Sequence, residues 1–62
     1  MNHDSDRLRV EALQDAKRLL RQARAALAAA ASYEPDTSRR NDLSILNERV
    51  AIAQGEAERL LP

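Results

Sequence analysis

Apolar and small residues recur along this chain with the period of a helix. In the first half Leu13, Leu20 and Leu27 stand seven apart, and Ala16, Ala23 and Ala30 follow three residues later on the same side. In the second half Leu43, Leu46, Val50, Ala53, Ala57 and Leu60 are spaced 3, 4, 3, 4, 3, the seam of a coiled coil. From Asp4 to Ser32 there is neither proline nor glycine, and Val10 is the one β-branched residue, so nothing interrupts a long helix. Asp4, Ser5 and Asp6 are N-cap candidates that also bring negative charge to the positive end of the dipole. At the other end Pro35 disfavours helical geometry in Glu34 and donates no hydrogen bond, which stops the helix near Tyr33. The pattern therefore predicts a helix over 4–33, a turn over 34–36 and a second helix over 36–61. Pro35 is expected in the first turn of the second helix, with Asn41 as an alternative later start. Gly55 costs that helix about 1 kcal/mol against alanine and admits a fray or bend.

Two long helices joined by so short a connection must run antiparallel, so the fold class is all-α, a two-helix hairpin. Folding the chain about Pro35 sets Leu27 opposite Leu43, Ala23 near Leu46, Leu20 opposite Val50, Ala16 near Ala53, Leu13 opposite Ala57 and Val10 opposite Leu60. Large side chains then often meet small ones, and the helices approach closely.

The apolar surface is wider than one seam. On the first helix it extends past the alanine row through Leu8, Ala12, Leu19 and Ala26, an arc suited to a helix with two neighbours. On the second helix Ile45, Arg49, Ile52 and Glu56 form a separate stripe, spaced 4, 3, 4 and turned roughly 120° from the seam centre. A lone hairpin leaves such isoleucines wet. The expectation is a four-helix homodimer with Leu8, Leu19, Ile45, Arg49, Ile52 and Glu56 at the interface. An antiparallel contact about a two-fold axis near Ile52 also brings Arg49 of one copy to Glu56 of the other, twice. The helices of a different protein are an alternative partner for the same stripe.

The chain has 62 residues, too few for a large core, and its 10 basic and 10 acidic side chains cancel to a net charge of zero. Overall charge thus gives no reason to expect a polyanion as partner. Its distribution does: residues 1–33 hold six basic and four acidic groups, and residues 34–62 hold four basic and six acidic. Arg7, Gln14, Lys17, Arg18, Arg21 and Arg24 gather on one face of the first helix, opposite the apolar arc, as a candidate nucleic-acid face. Pairing of Arg18 with Asp15 would partly neutralise it. Tyr33, the one aromatic, sits at the turn, so stacking on single-stranded bases is not expected. Arg39 and Arg40 stand near the start of the second helix, where positive charge opposes the dipole. With Ser38 they form either a small contact site at the tip or a set of pairs with Glu34, Asp36 or Asp42.

No cysteine is present, and the single histidine, His3, lies near one end, so neither a thiolate or histidine metal site nor a nucleophile–base pair is expected. No enzyme activity, metal or cofactor is predicted. The longest uncharged stretch, Ala25 to Tyr33, falls well short of the roughly 20 apolar residues that span a bilayer. With no signal-like N-terminus, the expected location is the cytoplasm, with no membrane contact.

A chain of this length with alternating alanine and leucine layers, predicted to form a hairpin and to dimerise as four helices, resembles in layout the Rop-type RNA-binding proteins of plasmids. The resemblance implies a homodimer with an RNA-binding face on the first helix, where this sequence has Gln14, Lys17, Arg18 and Arg21 in place of that family's aromatic. The function expected from the residues is a small non-catalytic interaction or adaptor protein, with the RNA-binding regulator as the alternative.

Overall fold

The computed structural model describes residues 3–62, and they form two helices, α1 (His3–Tyr33) and α2 (Thr37–Leu60). The pair folds back on itself as an antiparallel hairpin, a rod of 53 × 15 × 11 Å. No strand is present among the described residues.

The first turn of α1 holds Asp4 and Asp6, which lie inside the helix instead of capping it. There they favour the dipole and reach forward to Arg7 and Arg9 at 3.9 and 3.3 Å. At the far end the Glu34 N–H donates to the Ala31 carbonyl (3.3 Å), a tightened last turn.

The turn is Glu34-Pro35-Asp36, and each residue has a task. Asp36, extended at φ −81° and ψ 119°, is the N-cap of α2: its carboxylate accepts from the Ser38 N–H at 3.0 Å, and its carbonyl from the Arg40 N–H at 2.9 Å. Pro35 therefore precedes the helix, not in its first turn as expected, because the cap that satisfies the orphan donors comes one residue later. The Glu34 carboxylate accepts from the Asp36 N–H (3.1 Å). Its carbonyl accepts from both Nε (3.1 Å) and a terminal nitrogen (2.8 Å) of Arg40. The last turn of α1 has no basic residue of its own, so Arg40 brings positive charge to that negative helix end from across the turn. This resolves the expected conflict with the α2 dipole. Arg39 pairs with Asp36 at 3.8 Å.

α2 runs unbroken through Gly55 to Leu60, one residue short of the expected end, and Leu61 caps it in extended geometry with its N–H on the Glu58 carbonyl (3.2 Å). A methyl group placed on Gly55 would meet nothing within 4 Å, so this glycine serves no close approach inside the hairpin.

The seam differs from expectation on α2. Of the expected seam, Leu43, Val50, Ala53 and Ala57 are half-covered, while Leu46 is 44% exposed and Leu60 70%; Asn47, Gln54 and Leu61 are half-covered in addition. Leu43, Val50 and Ala57 form the central row, and the rows containing Leu46 and Asn47 lie about 50° to either side of it. The hairpin turns the Asn47 side inward and leaves Leu46 and Leu60 open, with Ala53 between them half-covered. On α1 the covered set is Val10, Leu13, Ala16, Leu20, Ala23, Leu27 and Ala31, with Ala30 left exposed.

Candidate functional site

The polar contacts that cross between the helices fall along one side of the seam. Lys17 meets Glu58 at 4.0 Å, a guanidinium nitrogen of Arg24 donates to Gln54 Oε1 at 3.3 Å, and Asn47 Nδ2 donates to the Arg24 carbonyl at 3.4 Å. Gln54 Nε2 donates in turn to Glu58 (3.4 Å). Asn47 Oδ1 has no partner, which leaves a desolvated acceptor in the seam and costs stability. These contacts place Lys17 and Arg24 of α1 beside Asn47, Gln54 and Glu58 of α2 on a polar side.

The rows flanking the seam in the opposite direction must share the opposite face. On α1 these are Ala16, Ala23 and Ala30, then Ala12, Leu19 and Ala26; on α2 they are Leu46, Ala53 and Leu60, then Arg49 and Glu56. The face is largely apolar and partly open, with Ala16, Ala23 and Ala53 half-covered and the charged Arg49 and Glu56 on α2. Leu19 is 54% exposed, Leu46 44% and Leu60 70%. At its margins stand Leu8, Ile45 and Ile52, also exposed, and the inward turn of Asn47 carries both isoleucines further from the seam than the roughly 120° expected. No residue among those described is buried, so the single hairpin has seam contacts but no enclosed core.

Of the six expected interface residues, Leu19, Arg49 and Glu56 lie on this face, and Leu8, Ile45 and Ile52 border it; all six are exposed. Sequence reasoning missed the exposure of Leu46 and Leu60, because their spacing is that of a seam. The signal was Asn47: a polar side chain symmetric to Leu46 about the central row is the one that found a bond across the hairpin.

The expected basic face is only partly gathered. Gln14, Lys17, Arg18 and Arg21 line one shallow depression of about 360 Å³. Arg24 lines another with Ser44, Asn47, Glu48 and Ala51, and Arg7 is drawn to Asp4 at 3.9 Å. Arg18 pairs with Asp15 at 3.3 Å and Lys17 with Glu58, so much of the charge has a nearby counter-charge. A third hollow, about 420 Å³, opens at the end remote from the turn between Arg9, Val10, Leu13, Leu60 and Pro62. Among the described residues no cluster of three acidic, histidine or cysteine side chains is arranged to hold a metal. No described helix is long and apolar enough to cross a membrane.

No protein-family model, curated protein or solved structure matches the chain. The hairpin agrees with the Rop-type proteins in layout, and no motif extends that agreement.

Proposed function

We propose that this chain is a small non-catalytic interaction protein that acts as a homo-oligomeric helical bundle, paired through the open apolar face. The observation that carries the reading is the absence of any buried residue among those described, together with the aliphatic side chains left in water along one face. Each of these stabilises an assembly by about 2 kcal/mol when fully covered. Two hairpins joined face to face give a shared core that neither has alone. The same face would also accept the helices of a larger protein. Sedimentation equilibrium at micromolar concentration tests the reading: a dimer or higher oligomer is expected, and Ile52→Lys should shift it toward monomer. A compact, thermally robust monomer would end it.

A second reading, an RNA-binding regulator, is favoured by the depression lined by Gln14, Lys17, Arg18 and Arg21, which lies away from the apolar face and stays free in a bundle. The Arg18 side chain is paired with Asp15, whereas that of Arg21 makes no ion pair or hydrogen bond among the described residues. Phosphate contacts by these cations would fall steeply with salt. An electrophoretic shift of folded RNA at low salt, lost in an Arg18→Ala/Arg21→Ala variant, is the expected result.

A further inference from the structure

Self-association by the open face, on which this inference rests, does not by itself say how two hairpins are oriented. We infer that the second copy lies with its turn at the opposite end, about a two-fold axis that crosses α1 at Leu19 and α2 between Ile52 and Ala53. In this bundle α1 packs antiparallel on α1 of the second copy, and α2 on α2.

Each helix points to this axis independently. An antiparallel pairing of α1 about Leu19 sets Leu19 on Leu19, Ala12 on Ala26 and Leu8 on Ala30 of the second copy, with Ala16 and Ala23 within one residue of level. The central rows of that contact carry one charge, Arg9 at the outer end of the Ala16–Ala23–Ala30 row, and the alanines allow the close end of the usual 8–10 Å helix separation. On α2 the same operation sets Ile52 level with Ala53 and Arg49 level with Glu56 of the second copy, twice, and brings Leu46 within one residue of Leu60. The two axes need not have coincided. The hairpin register decides that they do: Asn47 Nδ2 bonds the Arg24 carbonyl, so five residues back along α1 and five forward along α2 Leu19 stands level with Ile52. A difference of one residue is about 1.5 Å.

The charges disfavour the other closed arrangement. With both turns at one end, α1 of one copy would lie over α2 of the other in the register of the hairpin itself. Glu56 would then stand level with Asp15, like charge beside like, and Arg49 level with Gln22. The opposed arrangement converts the same residues into two oppositely charged pairs.

The absence of native cysteine makes single-cysteine reporters clean. Leu19→Cys and Ala53→Cys each place two thiols at the axis, within disulfide reach, whereas Ser38→Cys places them at opposite ends of the bundle. Under mild oxidation of the full chain, the first two should double in mass on non-reducing gels and the third should stay single. Should the chain sediment as a dimer in which the Ser38→Cys variant cross-links and the Leu19→Cys and Ala53→Cys variants do not, the arrangement is overturned while self-association stands. A monomeric unmodified chain overturns both. If the cysteine variants do not associate, a charge exchange decides: Arg49→Glu should weaken the dimer and Arg49→Glu/Glu56→Arg restore it, and no restoration sinks the axis.

Discussion

The two faces of the hairpin are built from the same helices and follow opposite logic. One is stitched by Lys17–Glu58, Arg24–Gln54 and Asn47 on the Arg24 carbonyl, a line of polar contacts that holds the register. The other has alanines on α1 and Leu46, Ala53 and Leu60 on α2, with no polar bond across it among the described residues. Polar contacts of this exposure contribute little energy, since the side chains are near solvent and cost entropy to hold. Apolar area contributes much more once covered. The stitched face therefore specifies which residues are level, and the open face is where the energy of assembly is held.

Substitutions on the two faces should separate these roles, and the greatest effect belongs to the open one. Leu46→Ala should forfeit about 2 kcal/mol per copy and so about 4 kcal/mol per dimer, close to a thousandfold in dissociation constant, read by sedimentation equilibrium. Leu46→Lys should go further, to monomer. If neither changes the mass, the open face is not the interface. On the stitched face Asn47→Leu removes the unpartnered Oδ1 and should raise stability by about 1–2 kcal/mol in thermal unfolding. It also deletes the bond that sets the register, so cross-linking at Leu19→Cys should become less selective.

Smaller changes test the parts between. Gly55→Ala should stabilise by about 1 kcal/mol, because the new methyl group meets nothing, and leave the mass of the assembly unchanged. Arg40→Ala withdraws two donors from the Glu34 carbonyl and should cost about 0.5–1 kcal/mol in urea unfolding, reduced by the solvent around the turn. Lys17→Ala should cost least, below about 0.5 kcal/mol, since the Lys17–Glu58 pair is long and partly exposed. A larger loss there would mean that the stitched face carries energy as well as register.

The helix ends show how far local chemistry reaches. Pro35 stops α1 whatever the helices pack against, and Asp36 followed by Ser38 marks a cap that could have been read in place of Pro35 as a first-turn residue. Arg40 was legible only as an anomaly, a cation in the wrong half of its own helix. Its partner, the Glu34 carbonyl, is a backbone group that no residue pattern displays. The candidate face was legible in part. Leu19 and the Arg49–Glu56 spacing stand out along the chain, but Leu46 and Leu60 have the spacing of covered residues and are exposed.

What the chain's letters determine is thus one-dimensional: two uninterrupted helical stretches, their caps, and a surplus of apolar rows, each set by propensity and spacing within a few neighbouring residues. The rotation of α2 about its own axis is different. Leu46 and Asn47 lie symmetrically about the row of Leu43, Val50 and Ala57, and burying either satisfies the periodicity. Only the folded hairpin, with its three-residue turn held by Arg40 and Asp36 and its carbonyl of Arg24 within reach of Asn47, selects one side, because that choice depends on groups brought level from distant parts of the chain.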